Sequence, residues 1–230
     1  MLELIPADTR GAADFGWLQS RHTFSFGNYF DRTRMGVSVL RVINDDTVAP
    51  GAGFATHGHE DMEIISYVLE GAIEHKDSEG NQFILPAGEV QRMSAGTGIT
   101  HSEFNHSKTE PVKFLQIWIQ PAEKGLQPSY EQRKIPQNGP LTPLVTPDGK
   151  ANSLRVHQDA SIYRLELSAE EKLSYNNDRT VYVHVIAGQL NINSKILGSG
   201  DGIIADEHTL DLRALNQNVI ALVFVLPNQS

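Results

Sequence analysis

From Met35 to Pro121 the chain is a succession of short β-patterned runs broken by turn residues. MGVSVLRVIND, MEIISYVLEG, GAIEHKDS, NQFILPAG, EVQRMSAG and VKFLQIWIQP each combine branched or aromatic residues with a closing Gly, Pro, Asp or Ser. Runs of this length and texture read as strands, while the 3.6-residue period of an amphipathic helix is scarce. Gly80-Asn81 reads as a hairpin tip and Pro86-Ala87-Gly88 as a further turn. A chain built this way folds into an all-β sandwich or barrel, because a half-buried strand needs another sheet to cover its apolar face.

The texture changes after Pro121. Pro128, Pro136, Pro140, Pro143 and Pro147 follow with few apolar runs between them, which predicts a connecting segment over 121–150 with one short helix around Tyr130 to Arg133. Strand texture then resumes in SLRVHQD, SIYRLELS, VYVHVIAGQLNIN, DGIIADE, TLDLRAL and VIALVFVLP. The expected organisation is a first β-barrel over 1–120, the connection, and a second barrel over 151–230. YVLEGAIEH and HVIAGQLNI look alike, each a strand, a glycine and a returning strand. Setting Gly188 against Gly71 places Ser174 opposite His57, Asn176 opposite His59 and Thr180 opposite Glu63. On that alignment the second half repeats the frame and lacks the ligand-type residues.

Composition narrows the chemistry. The 230 residues contain no cysteine, so disulfides, thiolate metal sites and a cysteine nucleophile are excluded. A net charge of −9 disfavours direct nucleic-acid binding, since phosphate backbones attract cations. MLELIPADTRG has no basic segment followed by an apolar run, and no stretch is long and apolar enough to span a membrane. The expectation is a cytoplasmic protein with no membrane partner.

Two short segments stand out against this background. His57 and His59 are two apart, and so are His101 and Glu103. Alternate residues of a strand share a face, so each pair projects to one side. Imidazole nitrogens and a carboxylate on facing strands can converge on one ion, and a six-coordinate ion held by four such donors keeps positions open for a guest. Asp61, Glu63 and Glu103 all carry the spacing to face the histidines. His22, His75, His106, His157, His184 and His208 read instead as surface or hydrogen-bonded residues.

These residues carry a resemblance. Gly51, His57, His59 and Glu63 stand at the intervals of the first cupin motif, G(X)5HXH(X)3,4E, and Gly71 closes the run. Gly80, Pro86 and Gly88 begin the second, whose histidine arrives ten residues late at His101, with Asn105 following at the motif's interval. That departure resembles the pirin branch of the cupins. SAGTGITHSEFN, GWLQSRHTFSFGNYFD and LQIWIQP also look like bacterial pirin-like proteins. The resemblance implies a bicupin of two jelly-roll-like barrels with few short helices. It implies a metal held by His57, His59, His101 and Glu103, with Glu63 packed or bonded behind a ligand. One divalent ion is implied, iron first, although the same donors suit zinc, manganese, cobalt, nickel or copper.

The resemblance also implies an activity. Bacterial pirin-like proteins are similar to quercetin 2,3-dioxygenases, which open the central ring of flavonols with O2 and release carbon monoxide. Glu103 would then act as the catalytic base, and Phe24, Phe26, Tyr29 and Phe30 are candidates for the wall of an aromatic cavity. The alternative implied by other pirins is a non-enzymatic, iron-containing, redox-responsive co-regulator that binds a partner protein.

Overall fold

The computed structural model describes residues 1–228 as four sheets in two similar halves, antiparallel throughout except where Leu154–Arg155 runs parallel to Leu141–Thr146. In the first half a seven-stranded sheet runs in the order Ser129–Lys134, Glu89–Ser94, Glu63–Glu70, Val112–Ile119, Leu40–Val48, Leu18–His22 and Gly11–Asp14. It faces a four-stranded sheet of Gly53–His59, Ile99–Asn105, Ala72–Asp77 and Gln82–Pro86. The second half repeats the plan. Leu2–Ile5, Gly202–Ala205, Thr180–Ala187, Val219–Leu226, Ser161–Leu167, Leu141–Thr146 and Leu154–Arg155 form seven strands, with Lys172–Asn176, Thr209–Ala214, Leu190–Ile192 and Lys195–Leu197 as the four-stranded sheet.

The expected all-β architecture of two barrels is what the chain adopts. Its helical content among the described residues is two 3-10 turns, Ala7–Thr9 and Lys150–Asn152. The short helix expected near Tyr130 is instead the strand Ser129–Lys134, which pairs residue for residue with Glu89–Ser94. A sheet edge supplies every backbone partner there, and a helix that short does not nucleate on its own. The segment read as a connection therefore carries one strand of each half, because Leu141–Thr146 pairs with Ser161–Leu167. Leu2–Ile5, from the beginning of the chain, pairs with Gly202–Ala205 in the second half.

Glu63–Glu70 shows how the halves are joined. Six successive residues of that strand, Glu63 to Val68, are buried, so neither face meets solvent. Ile64 and Val68 pack into the first barrel, whereas Ile65 and Tyr67 join a core shared with Leu144, Ile162, Tyr182, Leu222 and Phe224 of the second half. The two seven-stranded sheets thus lie back to back. Arg10 and His184 clasp Asp45 across that junction at 2.8 and 3.5 Å.

Gly71 and Gly188 occupy matching turns, at φ +78° and +88°. A Cβ on either would press on the strand behind it, at Val112 and Val219 respectively. The strand pairing carries that match through both halves, since Ser66 pairs with Gln116 as Val183 pairs with Val223. One part of the sequence alignment needs correction. Ser174 and Asn176 are exposed, and it is Leu173 and Tyr175 that pack into the second barrel. A shift of one residue turns a strand's side chains to the opposite face.

Candidate metal centre

Gly53–His59 pairs with Ile99–Asn105, and His57 sits directly opposite His101. The register slips by one between His101 and Glu103, a bulge of the kind that redirects side chains at the rim of a barrel. The result is a convergence of three rings. His101 Nε2 lies 3.1 Å from His57 Nε2 and 3.1 Å from His59 Nε2. His57 donates its Nδ1–H to the Ala55 carbonyl at 2.8 Å, which fixes the tautomer and leaves Nε2 bare. Burial, reinforced by the neighbouring imidazoles, lowers His59 to about 4 and His101 to about 3. Neutral imidazoles with lone pairs aimed at one point repel one another unless a cation joins them. The donor set therefore fits a divalent ion.

Glu103 stands beside this triad. A carboxylate oxygen of Glu103 and ring nitrogens of His75 and His101 lie within 4.8 Å of one another. Ser66 Oγ and Gln91 Nε2 donate to Oε1 at 3.0 and 2.6 Å, and Gln116 Nε2 donates to Oε2 at 2.7 Å. A carboxylate oxygen has two lone pairs, so Oε2 keeps one free. Glu103 is 3 % exposed, which makes these three donors the source of its solvation.

The other carboxylates face elsewhere. Glu63 lies on the shared-core side of its strand, where Ser94 Oγ donates to it at 2.9 Å and His157 approaches Oε1 at 3.3 Å. The parity argument fails for it because a turn separates Gly53–His59 from Glu63–Glu70 and strand alternation does not carry through a turn. Asp61 sits in that turn at φ +47° and accepts from the Gly125 backbone N–H at 2.7 Å.

His57, His59 and Glu103 line a cavity of about 630 Å³ within the first barrel. Trp118 meets His59 edge-on at 5.0 Å between ring centres, and Phe26 stands edge-on to Trp118 at 5.3 Å. Phe54 lines the cavity 6.5 Å from His57 between ring centres, with Trp17 edge-on to Phe54 at 5.2 Å. The four candidate aromatics of the N-terminal segment divide. Phe26 and Tyr29 line the cavity, Phe24 is buried in the shared core against Tyr182, and Phe30 is 69 % exposed.

Sequence reasoning misses several cavity and site residues. His75 is fully buried, stacks on Tyr130 at 4.5 Å and donates to Asp77 at 3.1 Å. His22 lines the cavity and donates through Nδ1 to Asn44 Oδ1 at 2.8 Å. Ser66, Gln91, Asn44, Asp46 and Gln116 escape it as well. Their signal is a polar residue at an inward strand position: Ser66 between Ile64 and Val68, Gln116 between Phe114 and Trp118, Asp46 between Asn44 and Val48. Buried polar groups there are costly without partners or a ligand.

Fold and site together define a two-barrel protein of the cupin class, with metal-type donors converging in the first barrel. The chain belongs to the pirin family. A family model described as Pirin matches residues 6–119, and one described as a quercetinase C-terminal cupin domain matches residues 143–226. The chain is 47 % identical to quercetin 2,3-dioxygenase of Escherichia coli K12, over 99 % of both chains. It is 40 % identical to a putative quercetin 2,3-dioxygenase of Pasteurella multocida, over 98 % of this chain and 100 % of that one. The crystal structure of bacterial pirin YhhW from Escherichia coli in complex with nickel(II) superposes with a TM-score of 0.96 at 46 % identity, covering 100 % of both chains. No helix among the described residues is long and apolar enough to cross a membrane.

Proposed function

We propose that the chain is a metal-dependent dioxygenase that opens the central ring of quercetin-like flavonols with O2 and releases carbon monoxide. The observation that carries this reading is the convergence of His57, His59 and His101 at the wall of a large aromatic cavity. His57, His59, His101 and Glu103 would hold one divalent ion. Iron suits these nitrogen and oxygen donors, and the nickel(II) complex of the Escherichia coli relative supports a divalent ion of this type. When bound, the ion supplies Lewis acidity toward the flavonol 3-hydroxyl oxygen and a place for O2 beside it.

The chain's own residues supply the rest. Trp118, Phe26 and Phe54 bracket a flat ring system and keep water from it. Glu103 accepts the 3-hydroxyl proton at Oε2, the oxygen with an unused lone pair, once that oxygen is no longer engaged as a ligand. Gln116 and Gln91 hold that carboxylate in place while the proton moves. The second barrel, on this reading, holds no ion and braces the first through the shared core. A cavity beside the donors with room for a flat ring system supports turnover over a surface-tuning role; His101 and Glu103 are buried, while His59 is half-buried and His57 exposed. The experiment is metal content and quercetin consumption on the same sample, with carbon monoxide measured. Loaded iron, manganese, cobalt, nickel and copper forms that all leave quercetin intact would overturn the enzyme reading.

A further inference from the structure

The cavity extends past the triad to an acid that the proposed reaction does not use. Asp46 lies on the inward face of Leu40–Val48, in register with Ser20 on one side and Phe114 on the other. Along the same pair of strands Asn44 faces Gln116 and Val42 faces Trp118. Asp46 is therefore farther along the barrel than Gln116, while Trp118 marks the His59 end. It lines the cavity, is 4 % exposed, and its Oδ1 has no hydrogen-bond partner. Burial, with Asp45 and Glu103 near, pushes its carboxyl up to about 7 against the opposing bond from Ser20.

Nothing in the fold calls for an acid at this place. In the second barrel the matching position is Leu165, paired with Ala221 as Asp46 is paired with Phe114, and it is fully buried among apolar neighbours. An inward carboxyl oxygen left without a partner costs stability, so Oδ1 points to a ligand group that completes it. His22 adds to this end of the cavity. Its Nδ1–H is committed to Asn44, which leaves Nε2 as an acceptor on a ring that lines the cavity.

We propose that Asp46 binds a phenolic hydroxyl on the part of the substrate remote from the histidine triad, and so selects which ring substitution the cavity accepts. A hydroxyl both donates and accepts, so it pairs with the carboxylate and with the carboxylic acid. The assignment rests on the flavonol reading above. Asp46 is a specificity residue here and takes no part in the oxygenation.

Both tryptophans of the chain, Trp17 and Trp118, line the cavity, so quenching of their fluorescence reports binding apart from turnover. The test titrates quercetin and 3-hydroxyflavone, which lacks the remote hydroxyls, anaerobically into metal-loaded wild type, Asp46→Ala and Asp46→Asn. Far-ultraviolet circular dichroism checks that each variant is folded. Wild type should favour quercetin by about tenfold or more, the worth of one good hydrogen bond. Asp46→Ala should erase that preference while 3-hydroxyflavone binding stays within about twofold, and Asp46→Asn, whose amide also donates and accepts, should retain part of it. Equal loss of both ligands, or an unchanged preference, overturns the assignment. Admitting air then separates the two claims. Discrimination without quercetin consumption removes the oxygenase reading and keeps Asp46. Consumption with no effect of Asp46→Ala on preference removes Asp46 alone, and absence of binding by either flavonol removes both.

Discussion

The two barrels share a frame and differ in what fills it. In the first, the inward row across the large sheet reads Ser66, Gln116, Asn44. The matching row of the second reads Val183, Val223, Tyr163. The second barrel closes over a continuous apolar core of leucine, valine, isoleucine and alanine side chains. The first divides its apolar interior into two smaller clusters, one around Phe114 and one around Met93, with the polar site between them. Buried apolar area is the main stabilising term in a fold, so a barrel hollowed for a ligand gives some of it up. The shared core between the two large sheets offsets that loss, and the filled barrel serves as a support for the hollow one.

The largest effects expected from this contrast concern the metal. Purified protein should carry about one divalent ion per chain, and the double variant His57→Ala/His59→Ala should carry none and lose quercetin consumption by at least about 1,000-fold. Elemental analysis alongside the assay checks both. Two ions per chain would break the comparison at once, because the second barrel presents Leu173, Tyr175, Leu210 and Leu212 where the first presents its donors. Next in size is a purely structural change. Leu212→Ala opens a hole in the filled barrel and should cost about 2–5 kcal/mol in denaturant unfolding, while turnover per folded molecule stays near wild type. A loss of activity matching the loss of stability would show that the support reaches the site itself.

The frame is legible in the sequence and the filling much less so. Short runs, glycine turns and scarce helical period specify antiparallel sheets, and the matched turns at Gly71 and Gly188 carry the repeat. The candidate ligand pairs stand out because His57 and His59, at strand spacing, put two imidazoles on one face, which neither an apolar core nor a solvated surface requires. What stays hidden depends on contacts across strands. Whether Glu63 or Glu103 faces the histidines depends on the turn at Asp61 and the bulge after His101, and neither has a residue pattern that spacing alone exposes. Ser129–Lys134 is a strand because an edge is waiting for it, a fact about Glu89–Ser94 and not about its own residues. The one-residue difference that turns Ser174 outward is of the same kind.

Asp46 sharpens the comparison through pH. Its carboxyl ordinarily titrates at 3.8 and is pushed up to about 7, by burial first and then by Asp45 and Glu103, with Ser20 and Arg10 opposing. The folded state therefore holds this proton more tightly than the unfolded chain. Its contribution is fully present below pH 4 and is lost as pH rises through 7. Asp46→Asn stays neutral throughout. The variant should gain on wild type as pH rises from 4 to 8, toward a ceiling of about 4 kcal/mol. Urea melts of both proteins across that range measure the difference, and a gap that stays constant with pH would mean the acid is better solvated than its burial indicates.

The smallest effect is the most discriminating for the ligand set. Glu63 and Glu103 are both buried, and each accepts several hydrogen bonds, yet they lie on opposite sides of the first barrel's wall. Glu63→Gln weakens its contacts with Ser94 and His157, which are worth about 1 kcal/mol, and should leave metal content and turnover within about twofold of wild type. Glu103→Gln keeps the shape but loses the negative charge beside the triad, and should weaken metal retention by about 10–100-fold. The pair must be read together on metal titrations at one pH. If Glu63→Gln releases the metal while Glu103→Gln holds it, the carboxylate assignment is reversed and the bulge at His101 no longer explains why this barrel, and not its partner, binds an ion.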